Sequence, residues 1–397
     1  MTADDLKKKY GYEPVGQQIK KIQASAQADD NFGLSVAASS SRIVVGAPFE
    51  DTTASNAGSA YIFDINGKQF RKIQANDAAA NDYFGSAVAV SDTRIVVGAY
   101  GEDTTASDAG SAYIFDIYGN QLAKIQANDA EASDNFGTAV AVSDSRIVVG
   151  ARYEDAGASQ AGAAYIFDIH GNQLAKITAS DAEASDNFGY AVACSDSRIV
   201  VGADGEDTGG ILAGAAYIFD INGTELAKIQ ANDAAANDSF GFSVAASNSM
   251  IVAGAHRNSS NAGAAYIFDI NGTQLAKIQA GDVGNSNFGF SVAVSNKWIV
   301  IGAPYTNAGS VYIFDINRNQ ITKLQASDAQ TDDHFGRFVA VSDNRIVVGA
   351  PTSDDAGTIG SAYIFSSGFS PFGDLCAYYD LGDPTTLDTT FSWSDYK

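Results

Sequence analysis

Cysteine is almost absent from this sequence, which contains only Cys194 and Cys376 among 397 residues. Two cysteines cannot form the disulfide framework of a small secreted domain. Histidine is also rare, with three residues, and the chain contains none of the motifs H-x-H, H-E-x-x-H, C-x-x-C, G-x-S-x-G or a phosphate-binding glycine loop. Because these patterns carry metal, thiol, acyl-transfer and phosphate chemistry, we expect a protein that is not an enzyme.

Long apolar runs are missing as well. No run approaches the roughly 18 residues of a membrane-spanning helix, and residues 1–17 lack the apolar segment of a signal peptide. We therefore expect no membrane insertion and no Sec-type export signal. Basic residues are few, since 24 Lys and Arg face 47 Asp and Glu and give a net charge of −23. Such a field repels phosphates, so nucleic acid is not an expected partner.

What the sequence has in abundance is one unit, repeated at intervals of roughly 50 residues. Each unit contains four short runs rich in Val, Ile, Tyr and Phe and bounded by turn residues; in the second unit they cover 86–90, 94–98, 111–116 and 121–126. Four antiparallel strands per unit predict an all-β, seven-bladed β-propeller of four-stranded blades. The units open with Phe-Gly pairs at Phe32, Phe84, Phe136, Phe188, Phe240, Phe288 and Phe335.

The two ends of the array are complementary. A last-strand sequence around Gln18 has no blade before it, and the seventh unit ends at Phe365 without such a strand. We expect the N-terminal strand to complete the seventh blade and close the ring, because an open fan would leave two sheet faces in water. The predicted parts are an N-terminal arm at 1–17, the propeller at 18–365 and a C-terminal extension at 366–397. The ending AYYDLGDPTTLDTTFSWSDYK of this extension resembles the start of a concanavalin A-like lectin domain.

Each predicted blade has two tight turns at one end of the ring and two longer loops at the other. The loops of the first four units carry an acidic arc, which includes Glu102, Asp103, Glu154, Asp155, Glu206 and Asp207. These carboxylates are candidates for a weak cation site, since calcium prefers such oxygens; the alternative is a solvated rim. A further aspartate precedes most Phe-Gly pairs, as at Asp82, and we interpret it as a cap for its loop. The alternative is that it brackets a cation together with a second recurring aspartate, such as Asp77.

The loops of the fifth and sixth units are shorter and less acidic, and they predict a ligand patch. Its candidate residues are His256, Arg257, Tyr305, Tyr190, Phe242, Phe290 and Arg337. The last four follow Phe-Gly pairs and head the innermost strands, so the alternative is that they only fill the central channel. His256, Arg257, Tyr305 and His334 are also the candidates for a polysaccharide lyase or hydrolase site, which would need such a cluster in the channel.

The pairing of FG-x-x-V-A-V with IVVGAP and G-S-A-Y-I-F resembles the FG-GAP repeat of integrin α-subunits and of many bacterial and viral surface proteins. The resemblance extends over residues 17–365. It implies a seven-bladed propeller whose loop face recognises a partner. The calcium loop D-x-D-x-D-G of the integrin repeats is absent, because a four-residue Ser-Asp-x-Arg turn stands in its place. We therefore expect no required cofactor, with calcium as an open option.

These observations lead us to expect a non-enzymatic binding or structural module on the surface of a particle, first of all a bacteriophage virion, as a tail or capsid-surface protein. Its expected partners are other virion or surface proteins, a cell-surface glycan or a receptor. The alternatives are a bacterial extracellular adhesion protein with an integrin-like propeller, and a propeller polysaccharide lyase or hydrolase.

Overall fold

The computed structural model describes residues 13–23, 30–155, 157–281, 284, 286–352 and 359–368. These residues form seven four-stranded antiparallel sheets, arranged as the blades of a ring. The predicted all-β, seven-bladed propeller is confirmed. From the innermost to the outermost strand, the blades are β2(Ser35–Ala38), β3(Arg42–Ala47), β4(Ser59–Asp64) and β5(Gln69–Ile73); β6(Ala87–Val90), β7(Arg94–Ala99), β8(Ser111–Asp116) and β9(Gln121–Ile125); β10(Phe136–Val142), β11(Arg146–Ala151), β12(Ala163–Asp168) and β13(Gln173–Ile177); β14(Ala191–Cys194), β15(Ile199–Ala203), β16(Ala215–Phe219) and β17(Glu225–Ile229); β18(Phe240–Ala246), β19(Met250–Ala255), β20(Ala264–Asp269) and β21(Gln274–Ile278); β22(Ser291–Val294), β23(Trp298–Ala303), β24(Ser310–Asp315) and β25(Gln320–Leu324); and β26(Phe338–Val341), β27(Arg345–Ala350), β28(Ser361–Ser366) and β1(Gln18–Ile22).

Little else is regular in the described residues. One helical turn, α1(Asn258–Asn261), lies in a loop of the fifth blade, and its Ser259 and Ser260 have positive φ angles. No helix among the described residues is long and apolar enough to cross a membrane.

Burial follows the position of a strand in its blade. The two middle strands are apolar on both faces because neighbouring blades cover both, and in β7 and β8 the residues from Ile95 to Ala99 and from Ser111 to Phe115 are all buried. The outermost strands instead have one face exposed to solvent. In β9, Leu122 is 52% exposed whereas Ile125 is 4% exposed.

The hydrophobic core is distributed between the blades. Phe84, which opens the second unit, packs edge-on against Tyr113 and Phe115 of its own blade, with ring centroids 5.4 and 5.9 Å apart. The same cluster includes Val44 and Ile62 of the first blade. Each blade is therefore stabilised mainly by its neighbours, and a complete ring leaves no blade face uncovered.

The N-terminal strand closes the ring as expected. β1 pairs antiparallel with β28, and Ile22 lies opposite Ala362. Ile22 also belongs to the core cluster between the seventh and first blades, together with Phe32 and Ile364. The seventh blade is thus built from both ends of the propeller sequence, which confirms the predicted closure.

Residues on either side of the predicted propeller limits also contact the seventh blade. The Gly16 N–H donates to the Ser366 carbonyl at 2.9 Å, and Glu13 lies 3.0 Å from an Nη of Arg345. Residues 1–12 and 369–397 lie outside the described residues, so the arm and the lectin-like extension stay predictions.

The strand directions give the ring two different ends. The turns at 39–41 and 65–68 and their equivalents form one end, which we call the turn end. The loops at 48–58 and 74–86 and their equivalents form the other, the loop end. This arrangement matches the prediction and places the described parts of the varied loops around one mouth of the central channel.

Candidate ligand site at the channel mouth

The seven innermost strands surround a cavity of about 340 Å³ at the loop end of the central channel. On every blade except the first, the residue that follows the Phe-Gly pair lines this cavity at the head of the innermost strand. On the second and third blades they are small, Ser86 and Thr138, whereas the next four blades contribute large side chains. The mouth is therefore asymmetric, with a hydroxyl-bearing side and a bulky side formed by Tyr190, Phe242, Phe290 and Arg337.

The bulky side is a continuous aromatic wall. Phe242 lies at the middle of it, with its ring centroid 4.9 Å from those of Tyr190 and Phe290. Phe290 continues the wall to Tyr305 at 5.7 Å, and His256 packs on Phe242 at 4.1 Å. These contacts join side chains from the fourth, fifth and sixth blades that are far apart in the sequence.

Arg337 of the seventh blade caps one end of this wall. Its guanidinium carbon lies 5.3 Å from the centroid of Phe290, which is a cation–π contact. One Nη donates a hydrogen bond to the Tyr305 hydroxyl at 3.0 Å. Its Nε is buried and has no hydrogen-bond partner among the described residues.

Arg152 of the third blade caps the other end of the wall, at Tyr190, and was not among the predicted patch residues. Its guanidinium carbon lies 4.5 Å from the ring centroid of Tyr153 and 5.4 Å from that of Tyr190. Its Nε, too, is buried without a partner among the described residues. Its position in the repeat could have indicated Arg152, because it stands in the third unit where other units have the proline of Gly-Ala-Pro.

Four of the seven predicted patch residues, Tyr190, Phe242, Phe290 and Arg337, line the cavity, and His256 and Tyr305 pack against them. The seventh, Arg257, is exposed and is not part of the lining. His334 lies beside Tyr305, with ring centroids 5.0 Å apart, and its Nδ1 is hydrogen-bonded to Thr352 at 2.8 Å. The four residues considered for a lyase or hydrolase thus lie outside the cavity lining that the described residues form.

His256 is part of the wall rather than a charged group. It is 4% exposed, and its Nδ1 has no hydrogen-bond partner among the described residues. Burial, assisted by the nearby Arg257, lowers the pKa of His256 to about 4. The imidazole is therefore neutral at neutral pH and packs between Phe242 and Phe290 as an aromatic ring.

The glutamates of the acidic arc have a structural role. Lys124 of β9 places its Nζ 2.8 Å from Glu102 of its own blade and 2.7 Å from Asp77 of the preceding blade. Tyr113 donates a hydrogen bond to the same Asp77 at 3.0 Å. Although burial opposes the shift, the hydrogen bonds from Lys124 and Tyr113 lower the pKa of Asp77. We call this arrangement the interblade clasp; its lysine recurs with two carboxylates at Lys176 with Asp129 and Glu154, and at Lys228 with Asp181 and Glu206.

These contacts do not favour a calcium site in the arc. Glu102 also accepts hydrogen bonds from Thr104 and, at 2.7 Å, from Ser111. Asp103 accepts the backbone N–H of Asp108 at 2.7 Å, and Asp155 and Asp207 bind the equivalent N–H groups. The described residues contain no group of three or more His, Cys, Asp or Glu side chains placed to hold a metal. The weak cation site stays a prediction that these geometries do not support.

The solvated-rim interpretation holds only for half of the arc. Glu102, Glu154 and Glu206 are buried, with 4 to 9% of their surface exposed, so this interpretation is wrong for them. The neighbouring aspartates are exposed, as a rim requires. The error arose because the sequence does not show that a lysine some twenty residues later returns to each glutamate.

The aspartates before the Phe-Gly pairs cap their loops, as interpreted from the sequence. Asp82 accepts the Ala79 N–H at 2.7 Å, and Asp134 and Asp186 accept equivalent N–H groups. These three carboxylates are almost fully buried. Burial raises the pKa of each of them to about 6.

The raised and lowered carboxyl pKa values predict a stability maximum on the acid side of neutrality. Between about pH 6 and pH 4 the folded chain binds protons at Asp82, Asp134 and Asp186 that the unfolded chain does not bind, so stability rises as the pH falls through this window. Below about pH 4 the unfolded chain takes up protons at clasp carboxylates such as Asp77 first, and stability falls. We expect a higher thermal midpoint at pH 5 than at pH 7.5 and a decrease below pH 4.

The control is a triple variant with Asp82, Asp134 and Asp186 replaced by Asn, which retains an acceptor oxygen for each loop N–H. Its midpoint should change less between pH 7.5 and pH 5 than that of the parent protein. An equal slope in the two proteins would show that general charge repulsion, and not these buried carboxyls, sets the pH dependence.

Comparison with protein families gives one match that covers most of the chain. A family model described as FG-GAP repeat matches residues 16–63, 68–115, 120–167, 172–219, 224–268, 273–314 and 319–365. Each matched segment begins with the outermost strand of one blade and ends with the third strand of the next. A search of curated proteins found no match.

Proposed function

Since the chain belongs to the FG-GAP repeat family, we propose that it is a non-enzymatic binding module that holds its ligand at the loop-end mouth of the central channel. The fold itself is that of a binding or structural module. The proposal adds the place of binding and assigns the recognition to the aromatic wall, Arg152 and Arg337.

The observation that carries this proposal is the contrast between the repeated and the varied positions. The core residues recur in all seven units, as with the Tyr of each third strand, which is fully buried in every blade. The positions at the mouth instead range from Ser86 to Phe242 and Arg337. Two of the varied side chains, Arg152 and Arg337, have a buried Nε without a partner in the described part of the chain. Such a departure from the rule that buried donors are paired is typical of functional sites.

The test compares binding of the labelled full-length protein to intact bacteria and to purified bacterial polysaccharides. In the variant Phe290→Ala we expect the affinity to fall by about tenfold or more, because a central aromatic anchor contributes roughly 2 kcal/mol. Leu226→Ala is the matched control, since Leu226 is 48% exposed on the outermost strand of the fourth blade, far from the mouth. Thermal melts of both variants establish that they are folded.

Two results would overturn the proposed site. Equal binding by Phe290→Ala and the parent protein would show that the mouth takes no part in recognition. If the parent bound none of these surfaces, a purely structural role would replace the binding role.

We also propose that the module works on the outside of a bacteriophage virion, as a tail or capsid-surface protein. Support comes from the resemblance of its units to the FG-GAP repeats of bacterial and viral surface proteins. The test is sedimentation of the native source lysate, with peptides of this protein followed by mass spectrometry. Co-sedimentation with a nucleic-acid-containing particle at fixed stoichiometry is expected. Recovery only in cell-envelope or soluble fractions would contradict the placement and favour a bacterial adhesion protein.

A further inference from the structure

Positive charge at the mouth stands out because the whole protein carries a net charge of −23. Arg152 and Arg337 come from the third and seventh blades and reach the two ends of the same aromatic wall. Both line the same cavity of about 340 Å³. The blades therefore bring two guanidinium groups to one mouth from positions 185 residues apart in the sequence.

The two guanidinium groups also act on the same atom. Burial raises the pKa of Tyr190 to about 12, and both Arg152 and Arg337 oppose this increase. Each arginine is thus close enough to the Tyr190 hydroxyl to stabilise a negative charge there. The Asp204 carboxylate acts on the same hydroxyl in the opposite sense and helps to raise its pKa, so two guanidinium groups and one carboxyl group meet beside Tyr190.

One carboxyl group, that of Asp204, lies near this region. Asp204 occupies the proline place in the fourth unit, and its carboxylate accepts a long hydrogen bond of 3.5 Å from Asn187. Burial raises the pKa of Asp204, while Asn187, Arg152 and Arg257 oppose that shift. Asp204 forms no ion pair within 4.0 Å of Arg152 among the described residues, and the Arg152 Nε stays unpaired. The Arg152 guanidinium therefore has a donor that no described residue satisfies.

From this geometry we propose that the mouth binds an anionic sugar residue. This inference rests on the proposed function and names its ligand class. Arg152 and Arg337 supply the fork-shaped donors that recognise carboxylate or phosphate. The apolar C–H face of a pyranose ring packs on Tyr190, Phe242 and Phe290, and the hydroxyls of Ser86 and Thr138 lie on the opposite side of the cavity. The cavity volume is near the lower end of the range for ligand pockets, about 300 to 1,000 Å³, and suits one sugar ring.

A cationic ligand fits this mouth poorly, although aromatic walls often bind cations. Arg152 already lies against Tyr190 and Arg337 against Phe290, so a cation on this wall would bind beside a guanidinium group. A second positive charge would meet two guanidinium groups at short range, and like charges placed together select against such a ligand. The same two groups attract an anion.

The experiment is a calorimetric titration of the full-length protein with three small sugars. Methyl β-D-glucuronide and glucose 6-phosphate are the two anionic probes, and methyl β-D-glucoside is the neutral counterpart. We expect at least one anionic probe to bind at least tenfold more tightly than the glucoside. Which of the two binds more tightly identifies the carboxylate or the phosphate as the preferred group.

Variants assign the effect to the two arginines. Arg152→Gln and Arg337→Gln should each weaken binding of the anionic sugar at least tenfold and leave the glucoside affinity unchanged. Arg318→Gln is the matched control, because Arg318 lies exposed in the hairpin between β24 and β25 at the turn end. Its affinity for all three sugars should equal that of the parent protein.

The outcomes separate this inference from the proposed function. The proposal of an anionic ligand would be overturned by equal affinity for the glucuronide, glucose 6-phosphate and the glucoside. Unchanged affinity of both arginine variants for the anionic sugars would overturn it as well. If Phe290→Ala still abolished binding to cell surfaces, the mouth would stay the binding site with a different ligand class. If no sugar bound and Phe290→Ala also bound surfaces normally, both proposals would fail.

Discussion

Deletion of residues 17–24 is expected to abolish the cooperative unfolding transition or to lower its midpoint by about 10 °C or more. The deleted segment contains β1, whose Ile22 is 3% exposed and packs between the seventh and first blades. Loss of a buried isoleucine alone costs about 2–5 kcal/mol. The deletion also removes the Lys21 partner of Asp328, 2.6 Å away, and exposes the edge of β28.

The size of this effect depends on closure of the ring. A terminal strand in an open array supports only its own blade, whereas β1 links the last blade to the first. The measurement is a thermal melt followed by circular dichroism. A synthetic peptide of residues 13–24, added to the deletion variant, should raise its thermal midpoint part of the way back to that of the parent protein. A deletion variant that melts like the parent would contradict closure by β1.

The second large effect is expected for Gly98→Ala. Gly98 lies in β7, at a close approach between adjacent blades. A Cβ added to Gly98 would lie 2.0 Å from the carbonyl oxygen of Gly137 in the next blade. Neither group is a flexible side chain, so the two blades must move apart. We expect a decrease of about 3 kcal/mol or more in the free energy of unfolding, which is at the high end for overpacking substitutions.

The control for this substitution is Gly281→Ala. No atom of the described residues lies within 4 Å of a Cβ added at Gly281, and the Gly281 backbone has no positive φ. Chemical denaturation of the two variants beside the parent gives the comparison. Similar stabilities for Gly98→Ala and Gly281→Ala would show that the contact between Gly98 and Gly137 does not set the blade spacing.

The fold was predictable because the sequence repeats the same structural unit seven times. Repetition separates structural positions from the others without any second sequence, as with Phe84, Gly98 and Tyr113, which recur in all units. The orphan strand around Ile22 and the vacancy after Phe365 predicted closure for the same reason. The strand order follows from short turns between neighbouring strands, which need no long-range information.

The candidate site was only partly predictable, because it depends on contacts between blades. The aromatic wall was found since Tyr190, Phe242 and Phe290 share one place in the unit. Arg152 was missed because it comes from a different place, after Gly-Ala, and joins Tyr190 only in the closed ring. Arg257 was included because it follows His256, yet it is exposed and is not part of the cavity lining. A repeat pattern shows which positions vary and does not show which varied side chains meet.

The most direct test is a crystal structure of the protein soaked with whichever anionic sugar, methyl β-D-glucuronide or glucose 6-phosphate, binds more tightly in solution. We predict electron density for one sugar at the loop-end mouth, with its ring on the wall of Tyr190, Phe242 and Phe290 and its carboxylate or phosphate within hydrogen-bond distance of Arg152 or Arg337. Binding of this sugar elsewhere on the ring, or a mouth that stays free of ligand at saturating concentration, would contradict the proposed site.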